Sequence, residues 1–211
     1  IGAITWLARN RDGVGRVKHG LVLSGLGDVG AFTYKQSRRG NAPIDRIAAH
    51  VLQASGEPHQ IQAFSPYGYD ERQYCSPGFN LPMGCLMRSP WGTYPQYHTS
   101  ADNLDFITPH ALAESLDMLL RMVDVIEGDA RCINQKPHGE PMLGRRGLYG
   151  VASGADAREF ELALLWVLNF SDGAHTLLEI AERARLPFAL IRRAATALCG
   201  TDLLVEAPHD A

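Results

Sequence analysis

A strand, helix, strand alternation early in the chain limits the available folds more than any other feature. Segment 43–55, PIDRIAAHVLQAS, spaces apolar residues three and four apart and begins with a Pro suited to a first helical turn. Segments 32–37 and 59–64, on either side of it, have the composition of strands. Because this order is typical of α/β proteins, we predict an α/β domain here.

Further apolar runs extend this pattern. Segments 20–27 and 83–89 are interpreted as buried strands. A long loop rich in Gly, Pro and Tyr, 65–82, lies between segments 59–64 and 83–89, and long loops of this kind often contain functional residues. Segment 108–128 is the clearest helix, with Thr108 as a cap. Its spacing predicts one apolar face made by Leu112, Leu116, Leu119, Leu120, Val123 and Ile126.

The last third of the chain has a different organisation. Five Gly residues and Pro141 recur between positions 139 and 154 and periodicity is lost, so we predict a first domain over 1–128 and a linker over 129–156. Over 157–211 the order is helix, turn, helix, helix and strand, with Thr176 and Glu179 spaced as a capping box. This order is typical of a winged helix.

Composition excludes several classes of protein. The 211 residues are 45% hydrophobic and carry a formal charge of −3, so a core can form and a dominant basic surface for nucleic acid is absent. We find no long apolar run or secretory leader, and we therefore expect a cytoplasmic protein without membrane partners. The four Cys are scattered, which favours idle buried thiols over disulfides or a zinc knuckle.

Asp28 has two readings. It follows an apolar strand, and the carboxyl ends of strands in open α/β sheets collect ligand-binding groups. An Asp after Gly-Leu-Gly also serves commonly as a turn residue that bonds its own backbone. The residue alone does not decide between a ligand site and a turn.

His98 lies in the dense run YPQYHTSADNL, 94–104. A metal-bound imidazole needs a rigid surrounding, which Thr99, Ser100 and Asp102 could provide by shaping the turn. A nucleophilic triad is less favoured, because no Ser lies in a G-x-S-x-G elbow. We interpret His98 as a metal ligand and Tyr97 as a residue that faces substrate.

The segment 65–87 is the other dense region. Asp70 and Glu71, followed by Arg72, could form a salt network on a solvated loop, or one carboxylate could orient a metal ligand. The interleaved Tyr, Phe and Pro favour a rigid wall.

Three ordered motifs carry a family resemblance: LGDVG around Asp28, YGYDERQYCSPGFNLPMGC, and YHTSADNLDFI. Together they resemble the second half of the zinc-dependent aminopeptidase superfamily of two-zinc exopeptidases. The likeness is nearest to a bacterial aminopeptidase-like family once catalogued as a domain of unknown function, often labelled polysaccharide-biosynthesis aminopeptidase-like, whose members also carry a terminal winged helix. It implies a partial, mixed-sheet exopeptidase-like α/β domain followed by a small helical winged-helix domain.

The resemblance also implies site residues. It makes Asp28 and His98 two of the five ligands of a two-zinc site, with Asp70 as a supporting residue. Two zinc ions activate a water for hydrolysis of a peptide or small amide. The remaining ligands and the general base are expected upstream of Ile1. We therefore expect no catalytic residue within this chain, weak or no metal binding, and no peptidase activity from it alone.

Two functions remain open at this point. The first is a zinc aminopeptidase-like hydrolase of which this chain is the C-terminal portion, completed by its own N-terminal half and possible as a homo-oligomer. The second is a non-catalytic binding or regulatory module with a vestigial peptidase fold, in which the winged helix contacts protein or DNA. Four Arg beside three acidic residues around the third helix make nucleic acid an improbable partner.

Overall fold

The computed structural model describes residues 1–149 and 155–208, which fold as two compact units, Ile1–Val123 and Asp124–Ala211. The described residues form seven α-helices and seven strands. The helices are α1 (Gly2–Arg9), α2 (Pro43–Ser55), α3 (Glu71–Tyr74), α4 (Pro109–Gly128), α5 (Ala155–Phe170), α6 (Leu177–Ala184) and α7 (Phe188–Cys199). The strands are β1 (Gly20–Leu23), β2 (Phe32–Lys35), β3 (His59–Gln62), β4 (Met83–Met87), β5 (Arg131–Asn134), β6 (Asp172–Thr176) and β7 (Leu204–Glu206).

The first unit contains a mixed four-stranded sheet in the order β1-β4-β2-β3. β1 runs parallel to β4, β2 runs parallel to β3, and β2 is antiparallel to β4. The carboxyl ends of β1 and β4 therefore meet at the same edge as the amino end of β2. The loops that follow β1 and β4 both start at this edge, and the α/β class predicted from the sequence is confirmed.

Helix α2 has the predicted bounds and the predicted buried face, with Ile44, Ile47 and Leu52 almost fully buried. A buried carboxylate organises its first turn. Asp45 accepts hydrogen bonds from the Tyr34 hydroxyl, from the backbone N–H and hydroxyl of Ser37, and from the backbone N–H of Ala42. These bonds fix the start of the helix against β2.

The apolar face predicted for α4 is mostly exposed and is not the face that packs into the unit. Leu112, Leu116, Leu120 and Val123, here called the α4 leucine stripe, are 42% to 57% exposed. The buried residues are Ala111, Ser115, Met118, Met122 and Val125. Apolar residues occupy more than one face of α4, so spacing alone could not identify the packed one. Tertiary contacts decide it, including a hydrogen bond of 2.8 Å from the Ser115 hydroxyl to the carbonyl of Leu26.

The second unit is built around a three-stranded antiparallel sheet in the order β6-β5-β7. Strand β5 and a 3-10 turn, Leu143–Arg146, lie inside the segment that the sequence suggested as a linker, so regular structure begins well before residue 157. Residues 150–154 of that segment lie outside the described residues. The Gly content of this segment predicted a linker. The short strand β5 forms there nevertheless, because it pairs with β6 and β7, which lie far along the sequence.

The capping box of α6 is confirmed, since Thr176 accepts a bond from the N–H of Glu179 and the Glu179 carboxylate accepts one from the N–H of Thr176. Within residues 1–149 and 155–208, no helix combines the length and the apolar composition that a bilayer-crossing segment requires.

Candidate functional site

Asp28 lies in the loop between β1 and β2 and is only 3% exposed. Its Oδ1 accepts a bond of 2.7 Å from the backbone N–H of Gly30 and one of 2.6 Å from the Ser89 hydroxyl, while Oδ2 accepts a longer bond of 3.3 Å from the backbone N–H of Ser89. The carboxylate therefore has a fixed orientation. The bond to Gly30 is also the turn bond that the sequence offered as the alternative reading.

A buried arginine, Arg88, fixes the backbone of the loop that contains Asp28. Arg88, directly after β4, donates to the carbonyl of Gly30 at 2.9 Å and to the Ser115 hydroxyl at 3.1 Å, and pairs with Glu114 at 2.7 Å. Ser115 in turn donates to the carbonyl of Leu26. Both sides of the loop are thus tied to α4 and β4. Arg88 and Ser89 could not be identified from the sequence, because nothing local distinguishes them from other strand-end residues.

His98 has a left-handed backbone conformation, with φ of +58°, which few non-Gly residues adopt. Its exposed imidazole stacks on the Tyr97 ring, with centroids 4.0 Å apart and planes 14° from parallel. The turn that contains it is closed by a bond from the Thr99 hydroxyl to the carbonyl of Gln96. Backbone strain of this kind occurs often at functional sites.

One cavity of about 230 Å³ joins these residues. Four of its lining residues are sequence candidates: Asp28, Tyr97, His98 and Asp102. The other lining residues come mainly from loops at the same sheet edge, and they are Ser24, Gly25, Gly27, Tyr69, Tyr94, Phe106 and Ile107. We call this space the Asp28–His98 cavity.

The aromatic part of the cavity wall is ordered by ring contacts. Tyr94 stacks on Phe106 at 5.2 Å and meets Tyr97 edge-on at 5.6 Å. Burial raises the pKa of Tyr94 to about 12, with further contributions from Tyr69 and from the carboxylates of Asp102 and Asp28. Tyr94 therefore keeps its proton at neutral pH and can donate a hydrogen bond into the cavity.

The other two candidates lie elsewhere. Asp70 is exposed at the start of α3 and lines a different cavity, of about 310 Å³, together with Trp6 and Tyr74. Glu71 is fully buried and pairs with Lys35 at 2.7 Å. Neither lines the Asp28–His98 cavity, although Tyr69, one residue earlier than Asp70, does. Sequence spacing did not distinguish these three neighbours.

The donor set for a metal is incomplete among the residues that the structure describes. A carboxylate and an imidazole are ligands that zinc accepts, but protein zinc sites use three or four such groups. Among the described residues, no group of three or more His, Cys, Asp or Glu side chains is arranged to hold a metal ion. Asp28 and His98 could contribute to a zinc site but could not complete one.

In the second unit, the arginines that a DNA-binding helix would use have protein partners. Arg192 of α7 pairs with Asp124 at 2.5 Å. Arg193 lies over the Phe160 ring at 4.6 Å, and Arg183 lies over the Phe170 ring at 4.8 Å. The Asp124 carboxylate offsets the charge of Arg192, and the ring contacts hold Arg193 and Arg183 against the protein, so the geometry does not favour phosphate binding.

Comparison with known proteins agrees with the two units. Residues 1–129 match the domain of unknown function DUF4910, and residues 130–206 match a winged helix-turn-helix family. A protein of Clostridium acetobutylicum, provisionally named as a polysaccharide biosynthesis protein with an aminopeptidase-like domain, is 44% identical over 97% of this chain and 47% of its own length. The chain thus spans about half the length of that relative.

A crystal structure from the same organism, provisionally named a peptidase, aligns with a TM-score of 0.87 and 41% identity. The alignment covers 96% of this chain and 45% of that one. The resemblance to aminopeptidase-like proteins is supported at the level of the fold and the family. The chain belongs to the DUF4910 family and carries a C-terminal winged-helix domain.

Proposed function

We propose that this chain is part of a zinc-dependent, aminopeptidase-like hydrolase that cleaves a peptide bond or the amide bond of a small conjugate. The observation that carries the proposal is the Asp28–His98 cavity. Three hydrogen bonds fix the Asp28 carboxylate there, and His98 has a left-handed backbone conformation. Both residues line one concave space with aromatic walls. The peptidase-like relatives support the same reading.

Asp28 and His98 would be the metal ligands of this chain. A two-zinc site supplies polarisation of the scissile carbonyl and a water of lowered pKa. The chain's own residues would have three tasks: Asp28 and His98 bind, Ser89 keeps the Asp28 carboxylate in one orientation, and Tyr94 offers a neutral donor to a bound amide. The general base is proposed to lie outside this chain.

The missing ligands would come from the N-terminal half of the longer protein, upstream of Ile1. Three features of the first unit that no other described residue covers support this part of the proposal. The α4 leucine stripe is exposed, Ile4 and Trp6 of α1 are 54% and 44% exposed, and β1 pairs with a described strand on one side only. Apolar surface of this kind marks contact sites.

The proposal is tested by metal analysis after dialysis against zinc. Two proteins are compared: this chain alone, and this chain joined to the N-terminal half that would precede it. We expect the longer protein to retain zinc, and Asp28→Asn or His98→Ala to remove most of it. His138→Ala, which changes an exposed imidazole far along the sequence, is the matched control and should retain the metal. Tight stoichiometric zinc on the 211-residue chain would contradict the need for outside ligands, and no zinc on the longer protein would contradict the metal role.

A further inference from the structure

The first unit contains a fully buried ion pair outside the candidate cavity. The side chains of Lys35, the last residue of β2, and Glu71, the first residue of α3, are 1% and 0% exposed and lie 2.7 Å apart. Lys35 Nζ also donates a bond of 2.6 Å to the backbone carbonyl of Tyr67. One ammonium group therefore ties the loop before α3 to the central part of the sheet.

Aromatic rings connect this pair to the cavity. Lys35 Nζ lies 5.1 Å from the centroid of the Trp91 ring and 5.2 Å from that of Phe64. Trp91 meets the Tyr67 ring at 5.9 Å and the Tyr69 ring, edge-on, at 5.7 Å. Tyr69 in turn lines the Asp28–His98 cavity. A continuous series of contacts thus leads from the ammonium group to the cavity wall.

Stability alone does not account for such a pair. Burying two charges costs desolvation that their attraction often only balances, and apolar residues of similar volume are commonly as stable or more so. Glu71 Oε2 accepts no hydrogen bond from any described residue, so the carboxylate is satisfied on one oxygen only. The backbone is also closely fitted here, because a Cβ at Gly68 would collide with both charged groups.

We infer that Lys35 and Glu71 are positioning residues of the candidate site. Glu71 holds the Lys35 ammonium group, which in turn bonds the Tyr67 carbonyl and lies over Trp91. The pair thereby fixes Tyr69 in the wall of the Asp28–His98 cavity, so that the cavity accepts a substrate with an apolar or aromatic side chain. The substrate part rests on the proposed function, whereas the positioning part does not.

The positioning part is tested on the 211-residue chain labelled with 5-fluorotryptophan. The chain has three Trp, and Trp91→Phe assigns the ¹⁹F resonance of Trp91. Lys35→Met and Glu71→Met should each lower the thermal midpoint, because each leaves one buried charge unpaired. The double variant should recover most of that loss while its Trp91 resonance remains shifted, because the bond to the Tyr67 carbonyl is still absent. Lys18→Met, an exposed lysine, is the control and should change neither.

A double variant that recovers both the midpoint and the native Trp91 resonance would overturn the inference, since the pair would then only fill space. The substrate part is tested on the protein joined to its N-terminal half, with leucine and glutamate p-nitroanilides. We expect the double variant to lose about tenfold or more in kcat/KM for the leucine compound, mainly through KM. An unchanged KM beside a shifted resonance would overturn the specificity role. A shifted resonance without hydrolysis by the native protein would leave the positioning role standing and refute the proposed function.

Discussion

The Ser89 hydroxyl donates a hydrogen bond of 2.6 Å to Asp28 Oδ1 and so joins the loop after β4 to the loop after β1. We expect Ser89→Ala to destabilise the first unit by about 1.5 to 3 kcal/mol, since the lost bond is made to a buried charged group. Urea denaturation measures the loss. Ser100→Ala removes an exposed hydroxyl of the same size and should cost little; an equal loss in both variants would contradict this account.

The capping box of α6 gives a prediction for the winged-helix domain. Thr176→Ala removes the acceptor for the Glu179 N–H and should cost about 1 kcal/mol. Amide hydrogen exchange checks this locally, because the first turn of α6 should exchange faster while β5 changes little. Thr176→Ser keeps the hydroxyl and should behave like the native chain. Unchanged protection in Thr176→Ala would show that the cap does not hold the helix.

The four thiols should differ in reactivity. Cys75, Cys85 and Cys132 are buried, whereas Cys199 is exposed, and none is in a disulfide. Burial raises the pKa of Cys85 to about 12 and that of Cys132 to about 11. With Ellman's reagent at about pH 8, one thiol should react in the folded chain and four after denaturation, because the thiolate is the reactive form. Cys199→Ser should abolish the reaction of the folded chain, and any remaining rapid reaction would contradict the burial of the other three.

Alkaline pH should weaken the first unit through Tyr34. Burial, and then the Asp45 carboxylate, raise the pKa of Tyr34 far above its ordinary value. The phenol ionises at about pH 10 in the unfolded chain, whereas it stays neutral in the folded one. The contribution of Tyr34 to the free energy of unfolding is therefore complete below that pH and declines as the pH rises above it. Urea midpoints measured from about pH 8 to 11 should therefore stay level up to about pH 10 and fall above it.

The Tyr34→Phe variant checks the origin of that fall. It should be less stable at neutral pH, since Asp45 loses a donor at 2.9 Å, but its stability should decline less steeply between about pH 10 and 11. Tyr67→Phe, in an exposed ring, is the matched control. A slope as steep as that of the native chain would assign the alkaline loss to another group.

The winged-helix domain should bind random duplex DNA poorly. Arg192 is paired with Asp124 and Arg193 lies over Phe160, so few cations of α7 are free for phosphates. A gel shift at about 0.15 M salt should show no complex at micromolar protein, and Asp124→Ala, which releases Arg192, should increase any low-salt binding. Tight binding of the native chain at that salt would instead favour a role on DNA.

Several features could be predicted because they depend on residues close in sequence. Helix α2 follows from apolar spacing and Pro43, the α6 cap from Thr176 and Glu179, and the mixed α/β class from the order of strands and helices. The motifs that contain Asp28 and His98 also identified two residues that prove to line one cavity. That both bind a metal remains a prediction.

The sequence by itself determined the class of fold, most of the elements and the family, because hydrophobic periodicity, caps and motifs are local properties. Only the tertiary structure decided which face of α4 is buried, that Tyr69 rather than Asp70 lines the cavity, and that Lys35 meets Glu71. The physical reason is that a buried polar group must find its partner where distant segments pack together. The packing of β2, α3 and the loop after β4 creates those partners, and spacing along a single segment cannot specify them.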